Sequence, residues 1–309
     1  MKVGLSALCL VASLGAAARS EGGDFRCSNG IYIAASRVAA LTRAREAFFA
    51  NLRTARIGTV FFYGVREAED PAMLSFIDSL RKAVPGVKIA AMVGRNACPK
   101  SGCVPIRSLR EGLLHAAARY WSAGFDAVQI DVEPVASGDS DFPALLKDIR
   151  SSKPADKLLS IAGYFVDLPP ALQSELKPSP KAAGTLRSWS ADYYRSVAQH
   201  TDQVMVMNYD TALRSPEAYR RFTAWQVSTL RDLIPTGVEI QFGLPSDVPR
   251  RTGFFDSRSE TLRAGTSGVE DALKEFPACP SAFGVTIFTE EGMKAEKDWA
   301  DFSAAFARP

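Results

Sequence analysis

The chain has 309 residues, 47% hydrophobic and 23% charged, with a formal net charge of +3. That length and balance suit one large globular domain and exclude a disordered or fibrous chain. So mild a charge, with no block of like residues, excludes the strongly basic class, and no nucleic-acid partner is expected.

Read from the start, Lys2, the apolar run 3–14 and Gly15-Ala16-Ala17-Ala18 have the form of a secretory signal, cleaved after residue 18. The run is too short to span a bilayer as a helix, and no later segment is apolar enough to be transmembrane. The expectation is a monomer, secreted or held in a periplasm, with 19–309 as a single domain. Cys9 leaves with the signal. The four remaining cysteines suit two disulfides in an oxidising compartment. Cys98 and Cys103 bracket a compact loop, and Cys27 then pairs with Cys279 by elimination. The spacings do not fit zinc, and the only histidines are His115 and His200, so no metal or cofactor is expected.

Short runs rich in Val, Ile or Phe predict strands over 30–35, 58–63, 87–93, 127–133, 158–164, 203–208, 238–243 and 284–288. Helices are predicted between them over 40–54, 71–84, 108–123, 141–151, 191–200, 216–233 and 268–276, and a last one over 294–306. Eight strands, each followed by a helix, make the count of a (β/α)8 TIM barrel. A doubly wound sheet would want a glycine-rich turn after the first strand, and Ala34-Ala35-Ser36-Arg37 has none. First and last strands are neighbours in a closed barrel. A Cys27–Cys279 bridge would therefore close its seam, constraining a loop of roughly 250 residues and stabilising by about 4–5 kcal/mol.

A barrel of this kind assembles its site at the C-terminal strand ends. Strand four is the most telling: Gln129, Asp131 and Glu133 alternate with Ile130 and Val132, and Pro134 follows. An ordinary core strand does not place two carboxylates on one face, because buried charge is costly unless paired. The other ends carry Tyr63, Arg95, Tyr164, Asn208-Tyr209-Asp210, Gln241 and Phe288. Polar groups and aromatics on one rim suit a glycan, with hydroxyls and flat apolar faces.

Phe125-Asp-Ala-Val-Gln-Ile-Asp-Val-Glu133 resembles the strand-four signature of glycoside hydrolase family 18, the chitinase family, written Asp-Gly-x-Asp-x-Asp-x-Glu. Val206-Met-Asn-Tyr-Asp210 resembles its strand-six motif Met-x-Tyr-Asp, and Gly243-Leu-Pro245 its strand-seven turn. The resemblance implies a glycosidase acting on a polysaccharide or oligosaccharide, with N-acetylated amino sugars among the candidate units. It implies Glu133 as general acid/base and Asp131 as the residue that orients the substrate's acetamido group. Tyr209 would steady the acetamido oxygen, which itself attacks the anomeric carbon in this family, an exception to the two-carboxylate scheme. Asp210 would bind substrate beside it. Asn208, Tyr63, Tyr164, Gln241, Phe288, Arg95 and Gln129 complete the expected binding set.

Three positions depart from the pattern. The first signature Asp is Gln129, the strand-three Ser-x-Gly-Gly reads Ala91-Met92-Val93-Gly94, and the strand-eight tryptophan is Phe288. Gln129 cannot take a proton from Asp131, so the family's proton relay is interrupted. Two further readings follow. One is a carbohydrate-binding, chitinase-like lectin on the same barrel. The other is an ordinary two-carboxylate glycosidase using Glu133 and Asp210. Loops over 166–190 and 245–267 are candidate cleft walls, in which Trp189 or Phe255 either stacks on a sugar or pins its loop. Asp126, at the start of strand four, reads as structural.

Overall fold

A computed structural model describes residues 29–98, 102–176, 188–246, 255–274, 283–293 and 296–306. Eight parallel strands close into a barrel: β1 Asn29–Ala34, β2 Ile57–Tyr63, β3 Lys88–Asn96, β4 Ala127–Glu133, β5 Leu158–Gly163, β6 Gln203–Met207, β7 Glu239–Pro245 and β8 Phe283–Phe288. The seam pairs β1 with β8, placing Gly30 beside Thr286 and Ile31 beside Ile287. Helices cross over between successive strands, so the chain forms a (β/α)8 barrel.

The strands read as continuous apolar runs because both faces are covered. Outward residues such as Ile130 and Val132 meet the helices and are fully or almost fully buried. Inward residues fill the barrel, and this filling is partly polar. Tyr32 donates to Gln129 Oε1 at 2.6 Å, Gln129 reaches Ser160 Oγ at 3.3 Å, and Ser160 donates to Gln203 Oε1 at 2.7 Å. This chain of neutral groups crosses β1, β4, β5 and β6 with all four side chains essentially buried. Linked hydrogen bonds allow it, since each buried donor or acceptor left unmade is costly.

Several boundaries differ from expectation. β3 runs to Asn96, three residues past the predicted end, because it stays in register with β4: Gly94 lies beside Asp131 and Asn96 beside Glu133. The helix expected over 40–54 forms as Val38–Arg43 and Arg45–Thr54, parted at Ala44. The helix expected from 268 begins at Leu262, where the Thr261 hydroxyl accepts from the Ala264 amide at 3.1 Å. Gly268 lies inside that helix because the neighbouring helix Pro216–Leu233 comes so close. A Cβ there would meet the Arg220 carbonyl oxygen at 2.4 Å. The stretch 166–190 includes a short helix, Pro170–Leu176, and its ends pair as a two-stranded ribbon, Phe165–Val166 with Ser188–Trp189.

The Cys98–Cys103 disulfide is present. Cys27, Cys279 and the signal segment lie outside the described residues. Asp126 is structural, bonded to Arg81 and to the Ile89 amide, both at 2.9 Å.

Candidate active site

β4 delivers its two carboxylates to the C-terminal rim by simple alternation. Gln129 faces inward in the polar layer, Asp131 stands one pleat above it, and Glu133 another. Asp131 and Glu133 line a cleft of about 370 Å³ together with Arg95, Asn96, Cys98 and Pro134. Burial first, and the charge of Glu133 second, push the Asp131 carboxyl up to about 7. Its Oδ1 is buried and has no hydrogen-bond partner among the described residues. Native structures rarely leave such an oxygen unmatched, which singles Asp131 out among the described carboxylates.

Beside the acids lies an aromatic group. Phe288, at the end of β8, stacks on Tyr209 with ring centres 4.9 Å apart and on Tyr63 at 6.3 Å. Tyr32 meets the edge of Phe288 at 5.1 Å and stacks on Phe61 at 4.9 Å. Burial holds the Tyr32 phenol well above its ordinary pKa, with Tyr209 and Asp131 adding to the effect. Tyr32 thus links the acid at β4 to the aromatics at β6 and β8. Gly243 leaves room for Tyr209, since a Cβ there would come within 3.2 Å of its Cε1.

Asp131, Glu133, Arg95, Tyr209, Tyr63 and Phe288 are gathered at the rim; four other expected binding residues are placed differently. Gln129 is fully buried in the neutral chain beneath Asp131, because its amide completes hydrogen bonds there. Asn208 is fully buried and turned to the helix Pro216–Leu233, donating to Thr223 Oγ1 at 2.9 Å. One residue beyond β6, the chain has already left the strand's alternation. Gln241 is fully buried low in the barrel, accepting from Thr286 at 2.9 Å and donating to Glu239. Tyr164 is buried edge-on against Trp189. Trp189 is itself 1% exposed, donates to the Val135 carbonyl at 3.1 Å and packs on Phe142 and Tyr193, so it pins its loop and offers no face to a sugar. His115 is exposed on an outer helix.

Two residues at the site were not foreseen. Tyr32 sits mid-strand in an apolar run, where its phenol gives no signal. Glu260 lies in the 245–267 loop, a candidate cleft wall on account of Phe255 and not of this acid, yet it is 1% exposed. Its Oε2 accepts from the Asp210 amide at 2.6 Å and its Oε1 from the Thr211 amide at 3.0 Å. Burial, with Asp210 second, pushes it up to about 8. Among the described residues, no group of three His, Cys, Asp or Glu is placed to hold a metal.

Fold and rim together define a (β/α)8 barrel with two carboxylates, Asp131 and Glu133, at the C-terminal end of its fourth strand. No protein-family model matches the sequence, and no curated protein matches it. Solved structures do match in fold. One is a chitinase from Bacteroides thetaiotaomicron, 15% identical, covering 91% of this chain and 96% of its own, with a TM-score of 0.57. A second is a glycoside hydrolase family 18 chitinase from the chitin utilization locus of Flavobacterium johnsoniae, 12% identical, covering 91% and 94%, with a TM-score of 0.53. A third is a xylanase-A-amylase inhibitor protein, 12% identical, covering 91% and 99%, with a TM-score of 0.55. The chain therefore resembles the chitinase family in fold at very low identity. No helix among the described residues is long and apolar enough to cross a membrane.

Proposed function

We propose that this protein is a secreted or periplasmic glycoside hydrolase that cleaves a glycan containing N-acetylated amino sugars. The observation that carries this reading is the buried, unmatched Oδ1 of Asp131 on the wall of the cleft shared with Glu133. A substrate acetamide N–H is the kind of donor that oxygen lacks. Glu133 would give its proton to the glycosidic oxygen as the bond to the anomeric carbon breaks. The acetamido oxygen would close on that carbon, with Tyr209 steadying it and Asp131 holding its N–H. Water would then open the intermediate and return a proton to Glu133. Tyr209, Phe288 and Tyr63 would supply apolar faces for the sugar rings. Residues 1–18 would be the cleaved signal, and Cys27–Cys279 a second disulfide.

The test is a panel of chitin oligomers and acetylated exopolysaccharides with products identified by mass. Glu133→Gln should abolish cleavage while the thermal transition survives; undiminished hydrolysis by that variant would end the assignment. A second reading, a glycan-binding protein without turnover, is favoured by Gln129. The neutral chain beneath Asp131 has no carboxylate to exchange protons with it. Tight binding of a glycan that the native protein never cleaves would decide for this reading.

A further inference from the structure

The turn after β6 carries Tyr209 and Asp210 to the rim, and its backbone is irregular. Asp210 and Ala212 both lie in the left-handed region, with φ of 59° and 57°. Aspartate enters that conformation fairly readily, but alanine, with no side-chain hydrogen bond to help, adopts it only where its surroundings impose it. Besides a local bond from the Leu213 amide to Thr211 Oγ1 at 3.3 Å, the surroundings here supply a side chain from outside the turn. Glu260 uses one oxygen on the Asp210 amide, at 2.6 Å, and the other on the Thr211 amide, at 3.0 Å. The Glu260 amide is bonded to the Asp256 carbonyl oxygen at 2.8 Å, and the adjacent Thr261 starts the helix Leu262–Leu273. The clamp is therefore anchored to the regular fold, while what it grips is irregular.

The gripped turn continues directly from Tyr209. On one side the Tyr209 ring stacks on Phe288; on another, Gly243 leaves it barely enough space. Carboxyls are seldom buried as deeply as this, so one bonded to two adjacent amides reflects a demand for a particular backbone shape. We infer that Glu260 is a positioning residue: by clamping the Asp210–Thr211 amides it sets Tyr209 against Phe288 and thereby orients the glycan at the acid cleft. This inference rests on the glycosidase reading for its consequence in catalysis, but the clamp itself can be tested without any substrate.

The experiment uses the full chain and Glu260→Gln. A carboxamide has a single acceptor oxygen, so one of the two amides must face its NH2 group. Amide hydrogen exchange at Asp210 or Thr211 should accelerate by about tenfold or more, as a protecting bond is lost. On the glycan that the wild type cleaves, kcat should fall by roughly tenfold to a hundredfold with KM changed less than about threefold, since small misplacements cost that much. In a Tyr209→Phe background, the same substitution should cost far less, because its effect runs through that ring. Unchanged exchange would overturn the clamp. A kcat loss that is absent, or fully additive with Tyr209→Phe, would overturn the positioning role and leave Glu260 as a folding element. Glu260→Asp, one methylene too short to reach both amides, gives the same readouts if the glutamine variant does not fold. Binding without cleavage by the wild type would sink the glycosidase reading alone. The dissociation constant would then replace kcat, with the exchange result standing as before.

Discussion

Replacing Asp131 with Asn removes the ionisation while keeping the shape, and the consequence can be worked out with its sign. The carboxyl is raised from 3.8 to about 7 in the folded protein by burial and by Glu133. Between those values the unfolded chain has lost the proton that the native protein still holds. Stability therefore falls as pH rises from about 4 to about 7 and levels off above, because stability declines wherever the native state binds more protons. Each pH unit is worth about 1.4 kcal/mol, so the whole window amounts to at most about 4 kcal/mol. Relaxation around the charge will reduce it, and at least about 2 kcal/mol is expected to remain. The assay is urea unfolding of wild type and Asp131→Asn at intervals from pH 4 to 8. Glu260, raised from 4.5 to about 8, adds a parallel slope to both proteins and cancels in the difference. The variant should become relatively more stable by that amount as pH rises. Parallel curves would refute the claim that Asp131 is held protonated by its surroundings. In a protein that turns over glycan, the variant's activity profile should also lose an ionisation near pH 7.

Two other substitutions test the packing beneath and beside the acids. Tyr32→Phe keeps the stack on Phe61 but leaves the buried Gln129 Oε1 without its donor. The cost should be about 1–3 kcal/mol, read as a calorimetric transition lowered by several degrees, and an unmoved transition would contradict the hydrogen-bond chain. Gly243→Ala would place a Cβ 2.8 Å from Met205 Sδ and 3.0 Å from the Val206 carbonyl oxygen, as well as against Tyr209. The backbone oxygen cannot yield as a side chain can, so a loss of about 1–3 kcal/mol is expected, together with reduced turnover from a displaced Tyr209; full activity would argue that this ring tolerates movement.

The primary sequence determined a good deal of this protein unaided. Eight apolar β-rich runs alternating with amphipathic helices specify a barrel, because strands covered on both faces and helices covered on one have different periods. Alternation along β4 alone places Asp131 and Glu133 on one face, and the Pro134 stop puts them at the rim. Phe288, Tyr209 and Tyr63 were legible as strand-end aromatics for the same reason. Tertiary structure decided what local pattern could not carry. Gln129 shares the face of the two acids, yet pairing with β5 brings Ser160 beside it and closure of the barrel brings Tyr32, which together make it part of the interior. Asn208 lies one residue from Tyr209 and points into the helix Pro216–Leu233, because the chain has left strand geometry there and the period-two rule no longer applies. Glu260 is 50 and 49 residues from the two amides it holds, and Tyr32 is 97 from Gln129. A sequence records which groups can make hydrogen bonds, and period and turn chemistry order those that are near neighbours; which distant group meets which is settled only when the chain closes on itself.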